Sequence, residues 1–99
     1  MRATPKQSHA WLQARMGELG IRSLADMAQR CGSDKGNLSR IFRQIQSPRA
    51  DALAELAAGL EISTYELLVR IGAVDPDLDI APQVPRKGTA AAFRWPETV

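Results

Sequence analysis

The chain is poor in the residues from which most active sites are built. Among its 99 residues there is one cysteine, Cys31, and one histidine, His9. A lone cysteine excludes a disulfide framework and a cysteine-based metal site. With one histidine, and no serine or cysteine beside an evident base, a catalytic triad has nothing to build on. The chain therefore reads as a non-enzyme that needs no cofactor or metal. Aromatic residues make up 5% of it, and no apolar run forms a secretory leader or nears the roughly 18 residues of a membrane span. The expected address is the cytoplasm, with no membrane partner. A chain of this length supports one small domain with a modest core rather than a large cleft.

What is present is a series of short amphipathic helices with their punctuation. Thr4-Pro5-Lys6-Gln7 combines a cap, a proline suited to the first helical position and a glutamine placed for a capping box. The helix it opens runs to Leu19, with Leu12, Met16 and Leu19 inward, and Gly20 supplies a left-handed end. Trp11 on this helix is expected to pack against the domain. Ser23 caps a second helix, whose stripe Leu24, Met27, Ala28 and Cys31 follows the i, i+3, i+4, i+7 spacing. Gly32 and Ser33 interrupt, Asp34 caps a third helix, and Leu38, Ile41 and Phe42 form its inner face.

Ile45 to Pro48 reads as a loop. A fourth helix is expected from about Ala50, with Leu53, Leu56, Ala57 and Leu60 inward and Gly59 weakening its last turn. Ser63 to Glu66 opens a fifth helix through Leu67, Leu68 and Ile71 to Gly72. The fold class is all-α, with residues 1–73 as the helical domain and residues 74–99 as a proline-rich tail. Within the tail Ala91, Phe93 and Trp95 alternate as in a short strand, which must pair with something to persist. Asp75 to Asp79 resembles the start of a calcium loop, but Ile80 stands where its glycine belongs and Arg86 where its last acid belongs. Turn and cap chemistry accounts better for these aspartates.

The outer face of the third helix is the informative surface. At about 100° per residue from Leu38, the direction away from the core falls on Gly36, Arg40 and Arg43. Asn37, Ser39 and Gln44 flank them, and Lys35 projects from the first turn. Residues 30–49 hold five cations against the single acid Asp34, a net of +4, while the whole chain carries +2. Charge concentrated on one helix suits a polyanion, and these side-chain types bind phosphates and read base edges. A helix, a tight turn and a second helix with such a face make the helix-turn-helix pattern.

These residues resemble the Cro/repressor (XRE) helix-turn-helix family over roughly residues 5–73. The most specific points are Ala28 with Gly32, which allow the two helices to pack closely, and Leu38 with Ile41 beyond them. The resemblance implies a five-helix, lambda-repressor-like domain that places its third helix in the DNA major groove. It also implies homodimers on palindromic operators. Carried over by position, base reading falls on Lys35, Gly36, Asn37 and Arg40. DNA-backbone contacts fall on Ser23, Leu24 and Arg43, and the same face adds Ser39, Gln44 and Arg49. The chain departs from the family at Leu24, where many members carry glutamine, and at Gly36, where a reading side chain is common.

The expected function is thus a sequence-specific, double-stranded DNA-binding transcriptional regulator, a repressor of phage or mobile-element type. Candidate dimer contacts are Tyr65, Leu68 and Ile71 on the fifth helix and Phe93 and Trp95 in the tail. The alternative is an antitoxin-type module that binds DNA and holds a partner protein with its tail.

Overall fold

Each helix starts where a short polar side chain can satisfy the free N–H groups of its first turn. In the computed structural model, which describes residues 1–78, Thr4 accepts from the Gln7 N–H at 3.1 Å, and the Gln7 side chain accepts from the Thr4 N–H at 2.9 Å. This capping box opens α1 (Pro5–Leu19). Ser23 accepts from the Asp26 N–H at the head of α2 (Leu24–Arg30), and Asp34 accepts from the Asn37 N–H at the head of α3 (Lys35–Phe42). A single 3₁₀ turn, Ala50–Ala52, leads into α4 (Leu53–Leu60). Ser63 caps α5 (Thr64–Arg70) through the Glu66 N–H. The described residues contain five α-helices and no strand. The all-α, five-helix reading therefore stands, with the fourth helix entered through a 3₁₀ turn. The strand read around Phe93 and Trp95 lies outside the described residues, as does most of the tail on which the antitoxin alternative rests.

The helices close around one core. Leu12 and Met16 of α1, Met27 and Ala28 of α2, Leu38, Ile41 and Phe42 of α3, Leu56 and Leu60 of α4 and Leu67 of α5 are all buried. Trp11 is half-buried and lies parallel to Phe42, with ring centres 5.9 Å apart, and the Arg70 guanidinium lies 5.3 Å from the Trp11 ring centre. The stack thus joins α1, α3 and α5. Arg15 of α1 donates to the Leu60 carbonyl at 2.9 Å and to the Glu61 carbonyl at 3.0 Å, a cation placed on the free carbonyls at the end of α4.

Gly59 has a different role from the one its position suggests. A Cβ at this point would lie 2.7 Å from the Arg30 carbonyl oxygen and 2.8 Å from the Cys31 Cα. The missing side chain lets α4 lie directly against the end of α2. Ile71, taken above as a dimer contact, is 6% exposed and belongs to the core of its own chain. The correction follows from helix phase, since Ile71 shares the inward face with Leu67. Leu68 is half-buried and packs against that core, and Tyr65 is half-buried.

Candidate nucleic-acid interface

The α2–α3 pair is held by its turn. Cys31 ends α2, and Gly32 follows at φ +67°, where a Cβ would be strained. The Gly32 N–H donates to the Gln29 carbonyl and the Ser33 N–H to the Ala28 carbonyl, so the last carbonyls of α2 are satisfied as the chain reverses. Asp34 then starts α3 at once. Leu38, Ile41 and Phe42, at most 2% exposed, fix the rotation of α3 about its axis. That rotation turns Lys35, Arg40 and Arg43 to solvent, with Gly36 and Ser39 half-covered. Lys35, Arg40 and Arg43 form no ion pair among the described residues.

Two expected members of this surface are placed elsewhere. Gln44 is turned inward. It lies just beyond α3 at φ +61°, and its amide donates to the Ala3 carbonyl at 2.8 Å and to the buried Ser8 hydroxyl at 2.9 Å. The continuation of helical phase to position 44 fails because the helix has already ended there. A left-handed non-glycine residue costs about 1 kcal/mol, and the two hydrogen bonds offset it. The second is Leu24, whose side chain is half-buried against the core. Only its backbone lies at the exposed α2 N-terminus, beside the Ser23 cap.

Arg49 is exposed but faces Asp51, with its guanidinium 3.2 Å from the carboxylate. An exposed pair of this kind is worth about 0–1 kcal/mol and gives way readily to another anion.

Asn37 and Arg40 are joined through a residue that the sequence pattern did not single out. The Arg40 Nε donates to the Gln46 Oε1 at 2.9 Å. The Gln46 Nε2 donates to the Asn37 Oδ1, and the Asn37 Nδ2 donates to the Ser33 Oγ at 2.7 Å. Gln46 lies in the loop after α3, nine residues from Asn37, and no helical spacing points to it. Gly36 also gains a role here. A Cβ on it would lie 3.1 Å from the Arg40 Nη1, so its bare backbone leaves room for the guanidinium to lie back along α3.

Beneath this network is a hollow of about 130 Å³, lined by Cys31, Asn37, Ile41, Gln46, Arg49 and Glu55 among others. Cys31 is buried, and burial pushes its thiol up to about 11, with the Arg30 charge acting the other way. The thiol stays protonated at neutral pH and acts as a small apolar side chain rather than a nucleophile.

Over 54 residues, 54% of its length, the chain is 35% identical to two curated proteins of Mycobacterium tuberculosis, from strains CDC 1551 / Oshkosh and ATCC 25618 / H37Rv. Both are described as uncharacterized HTH-type transcriptional regulators. The similarity supports a helix-turn-helix regulator. The matched stretch spans 39% of each of those relatives. No family model matches the chain. No solved structure matches it either. The helix-turn-helix of α2 and α3 agrees with the relatives' description, which does not extend to the Cro/repressor family in particular. Among the described residues, no helix is long and apolar enough to cross a membrane.

Proposed function

We propose that this protein is a sequence-specific regulator of transcription, a repressor of the Cro/repressor type that inserts α3 into the major groove of double-stranded DNA. The observation that carries the reading is the outer face of α3. Three exposed cations, Lys35, Arg40 and Arg43, stand on a helix whose rotation is fixed by a buried inner face. A rigid helix with exposed cationic tips suits a groove lined by acceptors and flanked by phosphates. The relatives' description as HTH-type transcriptional regulators supports it. In this reading Arg40 and Lys35 read bases, while Arg43, Ser39 and the α2 N-terminus at Ser23 meet phosphates. A homodimer on a palindromic operator completes the reading, because two linked half-sites multiply a weak single-domain affinity.

Selection of bound duplexes from a random pool tests it. The expected product is a pair of inverted half-sites, with sedimentation of the complex giving two chains per duplex. A pool that shows no enrichment overturns the proposal.

The two arginines should then separate by kind. Arg40→Ala should cost about 1–3 kcal/mol and relax preference at one base pair in each half-site. Arg43→Ala should weaken all duplexes alike and reduce the salt slope by about one unit per subunit. Titrations of operator and scrambled duplex at several salt concentrations distinguish the two outcomes. A uniform loss for Arg40→Ala would reassign that residue to the phosphates.

A further inference from the structure

Gln46 stands outside the helical spacing that marks the reading face, yet both ends of its side chain are committed to that face. We infer that Gln46 is a specificity-positioning residue, which holds the Arg40 guanidinium by its Nε so that Nη1 and Nη2 are presented as a fixed pair to a guanine edge. This rests on the DNA-binding reading above and adds to it a residue that need touch no base.

The polarity of the network is set by Arg40 alone. A guanidinium can only donate, so the Gln46 group facing it at 2.9 Å must be the amide oxygen. The Gln46 amide nitrogen is then turned to Asn37, which must present its own oxygen. The Asn37 nitrogen is in turn directed to the Ser33 hydroxyl, at 2.7 Å. One charged donor thereby orients two amides and a hydroxyl, and each group in the series has a partner of the right kind.

The backbone makes this arrangement a built one. After the left-handed Gln44, the N–H groups of Ile45 and Gln46 both turn back to the Arg40 carbonyl, at 3.0 and 3.3 Å. Gln46 is therefore delivered beside Arg40 by the reversal that ends α3. The other side of the guanidinium is bounded by Gly36, over whose bare Cα the Nη1 group lies. With Nε occupied, the two Nη groups keep the end-on fork that matches the O6 and N7 acceptors of guanine. Asn37, with its amide engaged on both sides, acts in this arrangement as a support for Gln46 more than as a reader of adenine.

The test uses the full chain and the operator selected by it. The informative position is the base pair whose preference disappears in Arg40→Ala. Gln46→Ala should reduce discrimination at that pair roughly threefold to tenfold, the scale of a coupling between touching side chains. The salt slope and the affinity for scrambled duplex should stay at the wild-type values, since no charge is removed. In an Arg40→Ala background, Gln46→Ala should have no further effect on discrimination. In the free protein, the Arg40 Nε–H resonance should exchange slowly with water and become fast in Gln46→Ala. Gln46 is exposed, so the thermal midpoint serves as a control for folding.

Unchanged discrimination in Gln46→Ala, or an equal loss at every base pair, overturns the positioning role and leaves the DNA-binding reading intact. A wild-type protein that enriches no sequence overturns both.

Discussion

Replacing Phe42 by alanine should destabilise the domain by about 3–5 kcal/mol, the usual cost of removing a buried phenylalanine. Phe42 is 0% exposed and closes the inner face of α3. Its ring lies parallel to Trp11, with 13° between the planes. The substitution therefore removes both the buried area and an aromatic pair worth about 0.5–1.5 kcal/mol beyond that area. At 0.05–0.15 kcal/mol per residue, 78 described residues amount to a total stability of about 4–12 kcal/mol. The loss is therefore at least about a quarter of the total. Urea unfolding followed by circular dichroism measures the loss directly. Labelling of the buried Cys31 thiol gives a second reading, because the thiol is reached only when the core opens. A loss below 1 kcal/mol would mean that α3 is held in place by something other than this stack.

Gly59→Ala should also destabilise, by about 1–3 kcal/mol, although alanine is the better helix former. Propensity alone favours the substitution by about 1 kcal/mol. Against it stands the contact with the end of α2, where the new Cβ would meet the Arg30 carbonyl oxygen and the Cys31 Sγ, each at 2.7 Å. The carbonyl belongs to the backbone, so relief requires α2 and α4 to separate. Overpacking of this kind costs about 1–3 kcal/mol and occasionally more, and a backbone collision belongs at the upper end. Gly17→Ala is the matched comparison. A Cβ there has nothing within 4 Å, so the propensity gain of up to about 1 kcal/mol should appear undiminished. Denaturation midpoints of opposite sign for the two variants are the expected result. A stabilised Gly59→Ala would show that the α2–α4 contact is looser than the distances state.

Gly59 illustrates why the sequence was legible in some places and not in others. Caps and stripes are local. Thr4, Ser23, Asp34 and Ser63 each act within three residues, and each opens the helix expected of it. The inner faces of α2 and α3 follow from helical periodicity alone. Within α4 alone Gly59 is only a weak helix former, because its close neighbours, Arg30 and Cys31, belong to the end of α2 and no spacing within α4 can reveal them. Gln44 failed for a related reason. Extending the α3 face by one residue assumed helical phase, whereas the chain is left-handed at that point and the side chain is drawn to Ala3 and Ser8. Gln46 escapes helical periodicity because its partners lie six and nine residues earlier, across a reversal. The exposed cations of the candidate interface needed only the rotation of α3, and that is written in Leu38, Ile41 and Phe42.

The inward turn of Gln44 has a consequence for the entropy of the chain. Around it the two ends of the helical unit meet. Ser8 donates to the Arg70 carbonyl at 2.5 Å, while Gln44 donates to Ala3 and to Ser8. Beyond them the Met1 ammonium lies 2.7 Å from Asp75 and 2.6 Å from Asp77. The unit is therefore almost a ring. Closing a loop of 74 residues costs about 4 kcal/mol from its length alone. The ammonium is fully exposed and screened by solvent, and its pairs do not offset that cost by themselves. The ends meet because α1, α3 and α5 are already gathered on Leu12, Phe42 and Leu67. The polar contacts are a latch on a ring that the core has drawn shut.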